Sequence, residues 1–411
     1  MVDNDEVMVA EDIGQTRPWL AKALLLAIMF GSATLIWFQG SSDQLDLDPR
    51  IQKLRFLLVG ATILALVFRC SLRFRIPKTG GIVLWTWIAF SSFVLVSSVA
   101  HQEGSSAIGG LWLLFGIPFL FFSVLPRSLG RYAGRTIVVA LLFGHLPYVV
   151  ISLATVPVTP FAYMGVFGNP NAMGATGAML AAGLFALLHA SLHPDNSRRA
   201  TLVLAFGLIA TFALILISWS RTSLLSFVAM FLTFCLAVIS SWNTNRTPVL
   251  KILASVVAIV LLFVWLGGLA SSYGELVTTV TAGVEGKTGT SGRDVIWQKA
   301  FSEISMLGYG KDYFTSVFGL GAHNVFVEYL GEYGIVSSLC LFCCALMSVF
   351  SAYVYATKQA GQNPYAFAPL IVIISFWVMS LGENMFGLLG NGLTLACMLS
   401  IGTIIQGVDQ D

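Results

Sequence analysis

Apolar runs of about 20 residues, the length that spans a bilayer as an α-helix, recur along the whole chain and are separated by short polar segments. Only 10% of the residues are charged, whereas soluble domains carry roughly 25%. The net charge of +2 gives no reason to expect nucleic acid binding. The sequence therefore predicts an all-α, polytopic membrane protein with about 12 transmembrane helices. The predicted spans are 18–38, 53–68, 81–100, 107–125, 135–156, 172–190, 200–219, 222–241, 249–270, 324–354, 366–385 and 388–407.

Lysine and arginine concentrate in alternate loops between these spans, and this bias sets the predicted orientation. Loops 69–80 and 191–199 are basic, whereas loop 40–48 is acidic. Arg55 and its basic neighbours, just after the acidic loop, run against this pattern. The bias as a whole places both termini in the cytoplasm.

The whole chain, 1–411, is predicted to be a single integral membrane domain with one large outer loop, 271–322. This loop contains one helix candidate, 294–306, whose apolar residues recur at helical spacing. Such a stripe is typical of a helix that lies on the membrane surface. The stripe consists of Ile296, Trp297, Ala300, Phe301 and Ile304.

Four small polar clusters interrupt the apolar sequence, and the predicted orientation places all four on the outer side of the membrane. The clusters are Asn169-Pro170-Asn171, Ser220-Arg221-Thr222, Ser291-Gly292-Arg293 and His323-Asn324. A scaffold that gathers two arginines and a histidine on one face can bind an anionic, lipid-anchored substrate and act on it.

Arg221 and Arg293 are the candidate anion-binding residues. Each stands at the predicted N-terminal end of a helix, where backbone N–H groups bind phosphate, and Ser220 adds a hydroxyl beside Arg221. Two arginines on one face suit a pyrophosphate better than a single phosphate. The alternatives are an interfacial arginine at 221, with its head group extended to water, and a solvated loop arginine at 293.

His323 is the candidate catalytic base, because histidine titrates near neutrality and can accept a proton from a hydroxyl. Asn324 follows it directly and is a candidate substrate-binding residue. A purely structural histidine is the alternative. The next candidates for the base are Glu328 and Glu383.

The side chains of Asn169 and Asn171 are candidates for binding sugar hydroxyls. The alternative is a turn followed by a helix cap, to which asparagine and proline are well suited.

Residues that could hold a metal ion are not clustered on the predicted outer side. Cys340 and Cys343 form a C-x-x-C pair, but no second ligand pair accompanies them and the run around them is apolar. We therefore expect no metal and no cofactor. The scattered outer acidic residues are Glu275, Glu285, Asp294, Glu303 and Asp312.

Several motifs follow one another in a characteristic order between 165 and 335. They are Gly168-Asn169-Pro170-Asn171, Ser220-Arg221-Thr222, Ser291-Gly292-Arg293 with Trp297, Leu307-Gly308-Tyr309-Gly310, His323-Asn324 with Glu328, and Gly334-Ile335. Their order and spacing resemble those of the O-antigen ligase and O-antigen polymerase superfamily, which includes exopolysaccharide polymerisation proteins.

The resemblance implies a metal-independent, inverting glycosyltransferase with a GT-C type membrane fold in the bacterial inner membrane. Its donor would be a glycan on undecaprenyl pyrophosphate. Its acceptor would be lipid A-core in a ligase, or a second lipid-linked glycan in a polymerase. Carried over by position, Arg221 and Arg293 would hold the pyrophosphate and His323 would be the base, facing the periplasm.

Two other classes of function stay open from the sequence. One is a transporter or flippase for lipid-linked oligosaccharides, which also needs many spans. The other is a non-catalytic subunit of a polysaccharide assembly complex. The sequence does not distinguish a ligase from a polymerase.

Overall fold

The computed structural model describes seven stretches of the chain, and every regular element within them is helical. The described residues are 18–38, 49–68, 81–158, 162–192, 197–240, 293–386 and 389–407. The helices are α1 (Pro18–Thr34), α2 (Pro49–Val67), α3 (Gly81–Ala100), α4 (Gly104–Leu111), α5 (Leu125–Leu129), α6 (Ala133–Thr155), α7 (Pro170–Ser191), α8 (Arg198–Ser218), α9 (Arg221–Ser240), α10 (Arg293–Ser302), α11 (Tyr313–Phe318), α12 (Val325–Gln359), α13 (Ala368–Ser380) and α14 (Gly392–Ile405). Wide, π-helical turns at Trp112–Gly116 and Pro118–Val124 join α4 to α5.

Seven helical stretches among the described residues are long and apolar enough to cross a membrane. This confirms a helical architecture of the polytopic membrane type, while the number of twelve spans stays a prediction. Eleven of the predicted spans coincide with described helices, and the remaining one, 249–270, lies outside the described residues.

The last two predicted spans are shorter as helices than expected. α13 has 13 residues and α14 has 14, whereas a span needs about 20. The described residues between them, from Leu381 to Asn391, are not helical. This stretch contains Gly382, Gly390 and the charged Glu383. Glycine lowers helix stability, and irregular backbone within a membrane protein is tolerated where other protein segments cover it.

α7 is the central helix of the bundle. In its most apolar window 89% of the residues are buried, against 33% in α8 and in α12. Its sequence is rich in glycine and alanine, which lets neighbouring helices approach closely. A Cβ atom at Gly177 would collide with α8, and one at Gly183 would collide with α6. α7 is therefore packed closely against α6 and α8 along its middle turns.

Gly334 divides α12 into two helical segments. Its φ of 88° and ψ of 172° are not helical, and a side chain there would be strained. The backbone of the preceding loop packs directly against this break, so that a Cβ atom at Gly334 would collide with the carbonyl of Met306. Gly308 also has a positive φ, and it lies against the carbonyl of Glu332.

The break in α12 gives the preceding loop a set of backbone partners. The N–H of Tyr309 donates to the Gly331 carbonyl at 2.9 Å, and the N–H of Gly310 donates to the Glu332 carbonyl at 3.0 Å. In return, the N–H of Ile335 donates to the loop at 2.9 Å. These bonds use backbone groups that an unbroken helix would occupy internally, and they fix the loop around residues 305–310 onto α12.

α10 differs from the surface helix predicted over 294–306. It ends at Ser302, and half of its apolar stripe packs onto protein. Ile296 and Ala300 are 3% and 2% exposed and pack in a small cluster with α11 and the start of α12. Phe301 and Ile304 remain exposed. The stripe therefore serves mainly to dock α10 on the bundle, and only its remainder is available to a membrane surface.

Arg55 is buried, and this explains why it departs from the charge pattern of the loops. It is 3% exposed, and its Nε donates to the Ala33 carbonyl at 3.0 Å. Its guanidinium also donates to the carbonyl of Gly390. The hydrogen bonds of Arg55 thus connect α1 and α2 to the irregular segment between α13 and α14, and this segment also contains Glu383.

Candidate functional site

The four predicted polar clusters meet at one short piece of chain, segment 381–383, at the end of α13. A described residue of each cluster contacts this segment by a hydrogen bond, an ion pair or close packing. The clusters come from the starts of α7, α9, α10 and α12. The predicted convergence of the clusters on one end of the bundle is thus present in the structure, although which side of the membrane this end faces stays a prediction.

Glu383 is the centre of the site. Its Oε2 lies 3.3 Å from Nδ1 of His323, and its Oε1 accepts a hydrogen bond from Nδ2 of Asn171 at 2.8 Å. Nη2 of Arg293 lies 3.6 Å from the same Oε1. The carboxylate therefore links three of the four clusters. Its partners are the cation Arg293, the titratable His323 and the neutral donor Asn171.

His323 takes a backbone conformation that few residues other than glycine adopt. Its φ is +53°, which costs free energy and persists only where the surroundings enforce it. The residue before it, Ala322, has both of its backbone polar groups hydrogen-bonded. Nε1 of Trp297 donates to the Ala322 carbonyl at 2.8 Å, and the Ala322 N–H donates to the carboxylate of Glu328 at 2.7 Å. Strained conformations of this kind cluster at functional sites.

Asn324 is a structural residue in this arrangement. Its Oδ1 accepts hydrogen bonds from the N–H groups of Phe326 and Val327 and so caps α12. Its Nδ2 donates to the Leu381 carbonyl at 3.0 Å. The side chain thus caps α12 with one end and joins the start of this helix to segment 381–383 with the other. The substrate-binding role of Asn324 stays a prediction.

Arg293 stands at the first position of α10 and contacts segment 381–383 twice. Its Nη1 donates to the Gly382 carbonyl at 2.8 Å, and the ion pair with Glu383 is the second contact. The arginine and the glutamate side chains are 21% and 18% exposed. A guanidinium has five N–H donors, so that these two contacts leave it able to bind an anion from the solvent side.

Arg221 begins α9 at the same end of the bundle. Its neighbour Thr222 packs so closely against Gly382 that a Cβ atom on that glycine would collide with the threonine hydroxyl. Arg221 itself is exposed. The first turn of α9 thereby brings a second arginine to the surface beside segment 381–383.

Ser220 is buried, whereas the sequence predicted that its hydroxyl contacts a substrate. It is 2% exposed, its hydroxyl lies 2.7 Å from the hydroxyl of Ser223, and it packs against Gly174 of α7. It caps the start of α9 and sets the position of Arg221.

The two asparagines of the first cluster have separate roles. Oδ1 of Asn169 accepts from the N–H of Asn171 at 2.8 Å and caps α7. The side chain of Asn171 donates a hydrogen bond to Glu383. The alternative of a helix cap, considered from the sequence, therefore describes Asn169, while Asn171 orients the carboxylate.

Ser291 and Gly292, the other two residues of the cluster that contains Arg293, lie outside the described residues.

The central position of Glu383 was not predicted from the sequence, where it stood only as a reserve base. One signal could have indicated it: Glu383 is the only charged residue between Lys358 and Asp409. An ionisable residue within a long apolar stretch marks a functional site by default.

The arrangement can stabilise negative charge and accept a proton at one place. Arg221 and Arg293 bring two positive charges to this end of the bundle, and guanidinium groups are well suited to bind an anionic ligand. A histidine that donates Nδ1–H to a carboxylate presents Nε2 as the acceptor. No group of three histidine, cysteine or acidic residues able to hold a metal ion occurs in the described part of the chain.

No protein-family model matches the sequence, and no curated protein sequence matches it significantly. The resemblance described from the motifs therefore stays an expectation.

Proposed function

We propose that this protein is a membrane glycosyltransferase that moves a glycan from undecaprenyl pyrophosphate to an acceptor hydroxyl. The acceptor is lipid A-core if the protein is an O-antigen ligase, and a second lipid-linked glycan if it is a surface polysaccharide polymerase. The proposal includes a GT-C type fold with about 12 spans, placed in the bacterial inner membrane with the site facing the periplasm.

One observation supports this proposal above all others: His323 and Arg293 share the carboxylate of Glu383. Arg221 begins α9 at the same end of the bundle, next to Thr222, which packs against Gly382. Glycosyl transfer from a pyrophosphate needs these two capabilities together. It needs cations for a leaving group that carries negative charge, and a base for the attacking hydroxyl.

In the proposed mechanism, Glu383 accepts a hydrogen bond from Nδ1–H of His323 and so fixes the tautomer in which Nε2 is the proton acceptor. Nε2 takes the proton of the acceptor hydroxyl as its oxygen forms the new bond to the anomeric carbon. The bond from that carbon to the pyrophosphate oxygen breaks, and the electron pair leaves with the pyrophosphate. A single displacement of this kind inverts the anomeric configuration.

Arg221 and Arg293 bind the pyrophosphate of the donor and stabilise the charge that grows on it as the bond breaks. Contacts that strengthen in the transition state are the ones that accelerate the reaction. The energy of the transfer is stored in the glycosyl–pyrophosphate bond, so that the mechanism requires no nucleotide.

Purified protein in nanodiscs, supplied with an undecaprenyl-pyrophosphate-linked glycan and an acceptor, tests the proposal directly. Transfer by the wild type and its loss in His323→Gln support a catalytic role. Transfer that appears only when a partner protein is added would identify a non-catalytic subunit. Movement of the lipid-linked glycan across a liposome membrane without transfer would identify a flippase.

Deletion of the gene separates the two kinds of transferase. Polymer that accumulates on its lipid carrier, together with unmodified lipid A-core, identifies a ligase. Single repeat units without polymer identify a polymerase.

A further inference from the structure

A second carboxylate lies next to the pair formed by His323 and Glu383. Glu328 stands in the first turn of α12, and only 7% of the residue is exposed. A buried carboxylate is costly unless hydrogen-bond donors compensate for the water that it has lost. The donors around Glu328 therefore indicate its role.

The first donor belongs to the backbone directly before His323. The N–H of Ala322 donates to Oε2 of Glu328 at 2.7 Å. The carboxylate also packs against Gly321, where a Cβ atom would lie 3.3 Å from Oε1 and 3.4 Å from Oε2. The φ of His323 is +53°, and such a conformation persists only where the surroundings enforce it. The contact of Glu328 with the preceding residues is one of those that enforce it.

The second donor belongs to the residue directly after Glu383. The side-chain amide of Asn384 is a hydrogen-bond partner of the carboxylate of Glu328. Oδ1 of the same asparagine accepts from the N–H of Phe386 at 3.2 Å. This bond fixes which way the amide faces, because only its carbonyl end can accept from an N–H. The NH2 end of Asn384 is thereby the one that donates to Glu328.

His323 and Glu383 are thus each next in sequence to a partner of the same carboxylate. The 3.3 Å contact between Nδ1 of His323 and Oε2 of Glu383 depends on the relative position of two stretches of chain, the one that precedes α12 and the one that follows α13. Glu328 is hydrogen-bonded to both stretches, through Ala322 and through Asn384. It therefore holds in place the two residues whose side chains meet.

We propose that Glu328 is a positioning residue, which aligns His323 and Glu383 so that Nδ1–H of the histidine reaches the carboxylate. Glu328 acts through these two residues and not on the substrate. This role is distinct from that of the base, for which Glu328 is also a candidate from the sequence. The proposal rests on the proposed function, because the pair that Glu328 aligns is the pair assigned to that reaction.

An exchange of donor and acceptor between Glu328 and Asn384 tests the proposal. In Glu328→Gln the side chain can still accept from the Ala322 N–H, but its NH2 group then faces the NH2 group of Asn384 and that bond is lost. The double variant Glu328→Gln/Asn384→Asp restores the bond in the opposite direction, with position 328 donating and position 384 accepting. It also keeps one carboxylate and one amide in the pair.

The matched control is Glu103→Gln. Glu103 also accepts a backbone hydrogen bond, from the N–H of Lys311 at 2.9 Å, but it packs against the loop at Gly310 and not against the residues before His323. All proteins are full-length and are compared in nanodiscs, and size-exclusion profiles verify that each variant is folded.

The single-turnover rate of glycan transfer should fall about tenfold or more in Glu328→Gln, the effect of losing one hydrogen bond to a charged group. The double variant should recover most of this loss, and Glu103→Gln should transfer as the wild type does. Undecaprenyl pyrophosphate should bind all of them with the wild-type dissociation constant, because Arg221 and Arg293 are unchanged. A rate in Glu328→Gln equal to that of the control, or a double variant no faster than the single one, would contradict the proposal.

Nitrogen NMR of isotopically labelled histidine separates this proposal from the proposed function. The signals of His323 are identified by their absence in His323→Gln. At alkaline pH, where imidazole is neutral, the wild type and the double variant should carry the His323 proton on Nδ1, whereas Glu328→Gln should show a mixture of the two tautomers.

The two proposals can fail independently of each other. If the wild type transfers no glycan, the transferase proposal fails, and the tautomers of His323 alone decide whether Glu328 aligns the pair. If the His323 signals in Glu328→Gln are those of the wild type, Glu328 does not position the histidine, whatever the rate of transfer.

Discussion

Glu383 and His323 meet in the candidate site through a 3.3 Å contact between Oε2 and Nδ1. Glu383 follows α13 and His323 precedes α12, and the two lie 60 positions apart in the sequence. A carboxylate at Nδ1 holds the imidazole in one tautomer and stabilises the imidazolium that forms when Nε2 accepts a proton. This relationship makes His323 a competent base, and it gives Glu383 a role separate from that of the arginines.

Replacing Glu383 by glutamine should therefore reduce the rate of glycan transfer strongly. The variant keeps the size of the side chain but loses its charge, and its amide can donate to the histidine and enforce the wrong tautomer. We expect a loss of about 10²–10⁴-fold in kcat, as for other carboxylates that orient a catalytic histidine. Single-turnover kinetics with a lipid-linked donor measure this loss.

The comparison variant is Glu383→Asp, which keeps the charge and shortens the side chain by one methylene group. It should retain more activity than Glu383→Gln, because the carboxylate can still face His323 while its contact with Asn171 weakens. Glu383→Gln with wild-type kcat would show that the contact between Glu383 and His323 has no part in turnover.

Replacing His323 by glutamine should abolish turnover and leave donor binding intact. Glutamine keeps hydrogen bonding to Glu383 but cannot act as a base near neutral pH. The arginines are untouched, so that binding of undecaprenyl pyrophosphate, measured by isothermal titration in nanodiscs, should equal that of the wild type. Normal turnover would mean that the histidine only positions the acceptor and that the base lies elsewhere.

Arg221→Ala and Arg293→Ala should each lower glycan transfer by about 10²–10³-fold, the usual effect of removing one contact to developing negative charge. Lysine should restore little, because it lacks the planar fork that binds two oxygens at once. At position 293 it also cannot reproduce the geometry in which one guanidinium contacts both the Gly382 carbonyl and Glu383.

The matched control for both arginines is Arg131→Ala. Arg131 is exposed and contacts the ring of Tyr132 next to it, and the charge pattern places it on the cytoplasmic side. Transfer by this variant should equal that of the wild type. An alanine variant at 221 or 293 that is as active as the control would remove that arginine from the site.

Chelation of divalent cations should leave the transfer rate unchanged. In the proposed mechanism, arginine side chains supply the positive charge that many transferases obtain from a metal ion. The measurement is the initial rate of the purified protein in EDTA, compared with the rate in magnesium or manganese. A strict requirement for either metal would overturn the mechanism.

The polar clusters could be predicted from the sequence because three of them border apolar runs and the fourth lies in the long loop 271–322. The charge bias of the loops also places all of them at one end of the bundle. Segment 381–383 could not be predicted in the same way. The role of this segment depends on two backbone carbonyls, at Leu381 and Gly382. Every residue has a backbone carbonyl, so the sequence does not indicate which ones accept these hydrogen bonds. The contacts of Asn324 and Arg293 with them arise only when α12, α13 and α10 come together.

The roles of Ser220 and Asn171 illustrate a second limit. Their types and positions are equally compatible with a ligand contact and with a helix cap or a supporting contact. Which of these applies depends on burial, and burial depends on the neighbouring helix. Ser220 is covered by α7, whose Gly174 has no side chain to keep the two helices apart.

Replacing Gly334 by alanine should destabilise the loop between α10 and α12 and thereby reduce activity. The backbone at this position has a φ of 88°, and a Cβ atom would collide with the carbonyl of Met306. Strain of this kind costs about 1–3 kcal/mol before the collision is counted. Because the hydrogen bonds between α12 and the loop of Tyr309 depend on this break, the loop should detach before the bundle unfolds.

Limited proteolysis and thermal unfolding in detergent measure the two effects separately. Gly334→Ala should be cleaved faster between α10 and α12 and should melt at a lower temperature than the wild type. The control is Gly361→Ala, where an added Cβ atom meets nothing within 4 Å and φ is not in the left-handed region. Equal cleavage rates and melting temperatures in the two variants would show that the break at Gly334 does not hold the loop. A selective change in Gly334→Ala would show that the break at this glycine holds the loop between α10 and α12 in place.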